Sequence, residues 1–536
     1  MLQIANLKLT PAQGGDYETE CRLLRAKVSK QLRVPVEQLQ NFRITRRSID
    51  ARDAHTIFYV YTVAFSPAGG ARIPSAVAYA PAPGYAAPAL TRTSGKRPVV
   101  VGSGPAGLFA ALTLAEAGLA PIVIERGKPV DERQADVSRF FATGDLDTES
   151  NVQFGEGGAG TFSDGKLTTG IKDPRVARVF DVFLQCGAPE EIGYDAKPHI
   201  GTDRLGGVLR AIRARIESLG GVFCFQTRLD GLQIEKSVLR GIAVTTLHGA
   251  EEIETDTVIA AIGHSARDTF EMLHGAGVLM QPKAFAVGVR VEHPQDMINR
   301  AQHKAFAADL PPADYKLAVR TKSGRGVYTF CMCPGGVVVP AASEANRLVV
   351  NGMSRYARDG ANANAAVLAA VSPADYDAYG AQAGLGEGHP LAGVAFQRAM
   401  EARAFALGGG DYRAPVQLLG DFVSGKASTG LGGVAPSYAI GITPCDLREC
   451  LDGFVADALR EGLLMMSTKL NGFAAHDAVL TAMESRSSSP VTIVRGADSH
   501  ASVRGLLPCG EGAGHAGGIV SSAVDGIKCA ESVIAG

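Results

Sequence analysis

The chain has 536 residues, 46% hydrophobic and 20% charged, with a formal net charge of -1. That length outruns a single hydrophobic core, so two or three domains are expected, and the balanced charge gives no general attraction to nucleic acid or to an anionic membrane. Nine cysteines lie scattered without a dense framework and read as reduced thiols. The start MLQIANLKLT lacks the parts of a signal peptide, and no stretch approaches about 18 uninterrupted apolar residues, so a cytoplasmic protein is expected.

Residues 2–10 read as a strand. Cys21, Leu24, Val28 and Leu32 recur at helical spacing, and 41–49 and 55–65 alternate as strands do. They predict a small N-terminal α/β domain, followed by a linker rich in Ala, Pro and Gly from Pro67 to Lys96. Domain and linker together take residues 1–90.

The next segment, RPVVVGSGPAGLFAALTLAEAGLAPIVIE at 97–125, is a dinucleotide site in outline. Val99 to Val101 form a central parallel strand. Gly102, Gly104 and Gly107, with Pro105 and Ala106 between them, supply a tight turn, a close approach to a pyrophosphate and tight packing of an amphipathic helix on the strand. The pyrophosphate would meet the helix N–H groups. After Gly118 a second strand, Pro121 to Ile124, ends at Glu125, whose carboxylate can accept ribose hydroxyls; Arg126 adjoins it.

Further along, the spacing predicts a helix from Leu205 to Leu219, a strand from Val222 to Gln226, two more strands, and a return to the parallel sheet at VIAAIGHS, where Gly263 and His264 follow. Residues 266–485 mix strands and helices without a second nucleotide motif. The chain closes with GLLPCGEGAGHAGGIVSSAVDGIKCAESVIAG, in which a short strand leads to Gly510 and Glu511, and Gly514, Gly517 and Gly518 open a helix from Ile519 to about Ile534. Strand, acid and helix N-terminus suit the ribityl-phosphate arm of FAD, and the helix dipole favours charge on a reduced flavin; a flexible turn is the alternative reading.

Taken together, the segments RRSIDAR (46–52), GSGPAG (102–107), NVQFGEGGAGTFSDGKLTT (151–169), KPHIGTD (197–203), AIGHSARDTF (261–270), FCMCPGG (330–336) and GEGAGHAGG (510–518) resemble the uncharacterised bacterial FAD-dependent dehydrogenases, within the glutathione-reductase-like flavoprotein class. The resemblance implies a non-covalent FAD and a redox reaction. His515 departs from it, standing where Tyr is expected, and ESRSSSP (484–490) departs in having serines where threonines are more usual.

In that architecture the loop QFGEGGAGTFSDGK passes the isoalloxazine ring, with Gly157, Gly158, Ala159, Gly160 and Thr161 offering backbone to it. Lys166 reads either as a cation for the reduced flavin or a substrate carboxylate, or as a surface lysine; Asp164 reads as a turn residue. Arg133 either reaches the pyrophosphate or lies exposed on a helix, and Leu229 offers backbone to adenine. Cys331 and Cys333 lack a second ligand pair, so no metal site is expected; they read as packed thiols or as a redox pair beside the flavin. His264, with Lys166, is a candidate for catalysis, while His199, His293 and His389 compete for any acid/base role. Arg290, Glu292 and His293 fall on an alternating strand end.

The expected fold is α/β: a doubly wound, Rossmann-like FAD-binding domain built from 91–265 and 486–536, an inserted α+β substrate or cap domain at 266–485, and the small N-terminal domain. The expected function is FAD-dependent oxidoreduction of a small molecule or with an electron-carrier partner, NAD(P)H binding at most transiently, with a flavin-bound regulator as the alternative.

Overall fold

The computed structural model describes residues 1–53, 55–68, 76–80 and 84–536. A parallel sheet runs in the order Leu506–Pro508, Val258–Ala260, Val99–Val101, Ile122–Ile124, Val222–Cys224. Its side chains alternate between two cores, as the two-residue period of a strand requires. Val100, Val123, Ile259 and Leu507 face one way, onto the helices Pro105–Glu116, Thr202–Ser218 and Ile519–Ala535. Val99, Val101, Ile124, Val258, Ala260 and Leu506 face the other.

That second face departs from a doubly wound plan. It packs against an antiparallel sheet of Arg228–Glu235, Val238–Thr246 and Gly249–Glu254, through Leu229, Leu239, Ile242 and Val244, with Phe270 and Leu273 of the helix Arg267–Gly275 beside them. The helix after the first glycine turn is also not amphipathic. Ala106 to Ala115 are all buried, because the sheet covers one side and the C-terminal helix the other. A Cβ at Gly107 would collide with the Gly102 carbonyl, and one at Gly526 with the Ala106 carbonyl, so both helices approach at glycine.

The C-terminal half is built on a seven-stranded sheet in the order Ala318–Arg320, Gly326–Cys333, Asn362–Val371, Phe285–Pro294, Val479–Glu484, Ala414–Leu418, Ile442–Pro444. It is antiparallel except at its last pair. Strand Phe285–Pro294 is buried on both faces from Phe285 to His293, so the alternation expected around Arg290, Glu292 and His293 is absent. Its polar groups are paired instead: Arg290 with Glu484 at 3.0 Å, Glu292 with Asn362 at 3.0 Å, and His293 Nε2 with the Phe473 carbonyl at 2.7 Å.

The N-terminal unit orders its strands Leu39–Asp50, Phe58–Pro67, Leu2–Leu9, Val77–Ala78, with helix Tyr17–Leu32 burying Leu24 and Val28 on them. Arg47 fastens this unit to the rest of the chain. Its guanidinium meets Asp195 at 2.7 Å and Glu20 at 3.3 Å, and its backbone exchanges hydrogen bonds with Tyr194 and Ala196. Among the described residues, no helix is long and apolar enough to cross a membrane.

Candidate functional site

One cavity of about 560 Å³ opens at the carboxyl ends of the parallel strands and extends to the seven-stranded sheet. At one end stand Glu125, Arg126, Thr227 and Leu229; along the middle, Gly102, Gly104, Pro105, Ala106, Gly510, Glu511, Gly517, Gly518 and Ile519; at the far end, Lys166, Tyr315, Cys331, Asn351 and Arg358. The N-termini of the helices Pro105–Glu116 and Ile519–Ala535 both face this space. Each presents N–H groups without intrahelical partners and the positive end of a dipole.

Glu125 is the hub of the first end. One carboxylate oxygen accepts from the Ser103 backbone N–H (2.9 Å) and hydroxyl (2.8 Å), the other from the N–H groups of Gly127 (2.9 Å) and Gly155 (3.0 Å). Four donors are about the full complement of a carboxylate. Glu125 therefore ties the first glycine turn to the loop at 151–161 as well as lining the cavity.

That loop is held from behind by Arg133, which neither reaches the cavity nor lies exposed. It is fully buried in helix Val130–Thr143 and donates to the carbonyls of Asn151, Val152, Gly155 and Glu156 and to the Thr161 hydroxyl. Burial pulls its guanidinium down to about 10, against the charges of Glu125 and Glu156. Gly157 and Thr161 sit on this inner side too, and only Gly158, Ala159 and Gly160 of the expected five line the cavity. Gly158 has φ 61, and a Cβ there would lie 3.1 Å from Gly104 Cα; one at Gly160 would lie 3.5 Å from Ile519. The loop is thus wedged between the two helix N-termini.

The second glycine turn has its own strut. Asp525 on the C-terminal helix accepts from Gly510 N–H at 2.8 Å and pairs with Arg495 at 2.6 Å. His515 points away from the cavity, its Nε2 on the Ile493 carbonyl at 3.0 Å, and so braces the same turn. Among the described residues Cys509, Asp525 and Cys529 bring three potential metal-ligand atoms together, yet Arg495 already pairs with this carboxylate and donates to Cys529 Sγ at 3.4 Å. Glu511 differs. Its carboxylate takes no hydrogen bond from the described residues, and burial, with the Cys331 charge adding and Lys283 opposing, pushes it up to about 7.

At the far end Asp164 is no turn residue. It is buried and clamped by Arg358, Nε to Oδ1 at 2.9 Å, with Lys166 Nζ at 3.8 Å; burial would raise its carboxyl, but Arg358 holds it below the usual range. Lys166 is partly exposed to the cavity. Of the four histidines considered, only His264 lines it, and burial with the charges of Arg486 and Arg267 lowers it to about 3. His199 stacks on Tyr356, and His389 meets His274. Gly263 lies next to His264 on the same wall.

Sequence reasoning missed Lys197, Tyr315, Lys316, Asn351, Arg358 and Glu484, all on the cavity wall. Lys197 and Glu484 each stand inside a segment already singled out, KPHIGTD and ESRSSSP. The others come from strands and loops that only long-range pairing brings to the site.

The geometry fits FAD. The helix N-terminus after Gly104 suits a diphosphate, the one after Gly518 suits the flavin end, Glu511 is an unpaired acceptor for ribityl hydroxyls, and the cavity is long enough to have separate ends. The comparisons agree: residues 97–152 match an FAD binding domain, residues 284–487 match the family described as "FAD-dependent protein, C-terminal domain-like", and residues 1–66 match a domain of unknown function, DUF8436. An uncharacterized protein of Clostridium beijerinckii is 46% identical over 543 residues, covering 99% of this chain and 98% of that protein. The chain is a flavoprotein that binds FAD, and it belongs to this uncharacterised family of FAD-dependent proteins. Among solved structures, a variant of E. coli quinol fumarate reductase FrdA is 12% identical with a TM-score of 0.35, covering 82% of this chain and 70% of that one. The open form of a flavocytochrome c3 fumarate reductase is 10% identical with a TM-score of 0.34, covering 83% and 78%. Likeness at this level leaves the chemistry to be argued from the chain's own residues.

Proposed function

We propose that this chain is an FAD-dependent oxidoreductase in which residues 91–265 and 486–536 hold the cofactor and residues 266–485 complete the end where substrate reacts. The observation that carries the reading is the single cavity running from Glu125 and Leu229, past both glycine turns, to Lys166 and Arg358. Bound FAD supplies hydride or electron transfer.

The chain's own groups then take distinct roles. The end at Glu125 and Leu229 takes the adenosine, the N–H groups after Gly104 take the diphosphate, and Glu511 takes the ribityl chain. Gly158 to Gly160 and Gly517 to Ile519 flank the isoalloxazine. Lys166 supplies a cation to a substrate carboxylate or to the reduced cofactor, and His264, held neutral, acts as a hydrogen-bonding group rather than a charge. The reacting partner is a small molecule or an electron carrier, with NAD(P)H binding transiently at most, because residues 266–485 carry no strand, GxGxxG and helix unit.

An absorption spectrum of the purified protein, followed by anaerobic mixing with NADH and with NADPH, tests this. Yellow protein with about one FAD per chain, reducible and reoxidised with turnover by an acceptor, is expected. Stoichiometric FAD without turnover with any acceptor overturns the enzymatic reading, and a nicotinamide dissociation constant on the order of 1 μM or tighter overturns the transient one.

A further inference from the structure

Cys331 and Cys333 occupy the last turns of strand Gly326–Cys333, where the sheet is broken. The strand pairs regularly with Asn362–Val371 from Val327 to Phe330, and the register then slips before Cys333 meets Asn364. At the slip Cys331 takes φ 40, a left-handed conformation rarely adopted by a side chain of this kind. An undisturbed strand would hold residues i and i+2 about 6.7 Å apart, at the outer limit of what a disulfide spans. Here the chain folds back, and Cys333 Sγ donates to the Cys331 carbonyl at 3.3 Å.

Their surroundings are polarised. Cys331 lines the cavity beside Lys166, while Cys333 is fully buried behind it. Arg290, also fully buried, donates to the Cys331 carbonyl at 3.3 Å and to Asn364 at 2.5 Å. The neighbouring Cys333 side chain lowers the Cys331 thiol, burial opposes, and Lys166 and Arg290 help; Cys331 and burial raise Cys333. The two shifts are opposite in sense and favour a thiolate at Cys331 on the cavity and a thiol at Cys333 behind it. Glu511 and Glu484 line the same cavity and both feel the Cys331 charge, so this strand of the seven-stranded sheet faces the second glycine turn.

We infer that Cys331 and Cys333 are a redox pair that exchanges two electrons with the FAD held in the cavity. The inference rests on the reading that the isoalloxazine, flanked by Gly158 to Gly160 and Gly517 to Ile519, has its reacting edge toward the far end. In the oxidative direction the S–H bond of Cys333 breaks and an S–S bond to Cys331 forms. The two electrons and the one proton released pass to oxidised FAD, so charge and atoms balance without a further reactant. The buried position of Cys333 keeps outside thiols from intercepting the disulfide, and only the Cys331 sulfur is open to the cavity.

The test is an anaerobic dithionite titration of the FAD-loaded full chain after diamide oxidation and desalting, with FAD quantified first by its absorbance. Wild type should consume about four electron equivalents per FAD, and Cys331→Ser and Cys333→Ser about two each, since the disulfide couple accepts two. In the oxidised protein the tryptic peptide carrying both cysteines should be lighter by two hydrogens and resist alkylation until reduced. A wild type that holds reducible FAD but takes only about two equivalents, or whose two cysteines both alkylate after oxidation, overturns the pair while leaving the oxidoreductase reading intact. Absence of FAD overturns both. Should the serine variants fail to fold, the electron count and peptide map of wild type decide the matter alone.

Discussion

The two sheets contribute to the cavity in different currencies. The parallel sheet offers mostly backbone: its strands end in turns whose N–H groups and helix N-termini face the ligand, and Glu125 spends its carboxylate binding those turns together. The seven-stranded sheet, its loops and the small sheet of Val337–Pro340 and Val350–Met353 offer side chains, Tyr315, Cys331, Asn351, Arg358 and Glu484, drawn from segments far apart in the chain. Backbone recognition demands glycine at fixed offsets, which leaves a local signature. Side-chain recognition demands only that distant strands find their register, which leaves none. It follows that changes on the first side should cost cofactor, and changes on the second should cost chemistry.

Glu125→Ala should have the largest effect. It strands the N–H groups of Ser103, Gly127 and Gly155 in a buried place, and each such loss costs about 1–3 kcal/mol. FAD binding should weaken by about 3 kcal/mol, or more than about 100-fold, as read by fluorescence of released flavin. Retention of wild-type affinity would remove the distinction between the two sides.

Gly158→Val comes next. The residue has φ 61 and stands against Gly104, so a branched side chain costs about 1–3 kcal/mol of backbone strain plus the displacement of its neighbour. Flavin occupancy should drop or its spectrum shift, while far-UV circular dichroism stays near wild type. An unaltered spectrum and occupancy would place the loop away from the cofactor.

Lys166→Met probes the far end, where a loop of the first part reaches Arg358 of the second. Reduction of the flavin by substrate should slow about tenfold, whereas FAD affinity should change by less than about twofold, since one preorganised charge acts on the reacting state more than on the resting one. Equal losses in both would make Lys166 a structural partner of Asp164.

The smallest effect concerns pH. Glu511 is raised from 4.5 to about 7 by burial, so the fold favours its neutral form. The stability it contributes is present in full below pH 4.5 and is lost as pH rises through about 7. Thermal unfolding of the FAD-free protein should therefore fall between pH 5 and 8 by an increment on the order of 1–3 °C that Glu511→Gln abolishes. An unchanged slope in the variant would show that another group titrates there. His264 works in the opposite sense: lowered to about 3, it contributes stability above its ordinary value near 6.5 that is lost as pH falls toward 3.

Several elements were legible locally. The run Val99–Val101, the turn from Gly102 to Gly107, the strand ending at Glu125 and the helix from Ile519 all stand where the pattern puts them. Arg133 shows where such reading stops. From sequence it read as reaching the pyrophosphate or lying exposed on a helix, and a buried guanidinium serving carbonyls of 151–156 can be known only when that loop is seen wrapped around it. Asp164 was misread for the same reason, since its partner Arg358 is remote in sequence. The histidines were equivalent on paper and are not in space.

By itself the sequence determined the FAD-binding outline, because glycine turns, strand periodicity and helix starts are set by neighbouring residues whose steric demands act over a few positions. The tertiary structure alone decided that the second face of the parallel sheet packs on antiparallel strands, that Glu125 is saturated by protein donors, and that Cys331, Lys166 and Arg358 share one end of the cavity. Those facts depend on register and burial across hundreds of residues, where the energy of a contact is set by which surfaces meet and not by what stands next in the chain.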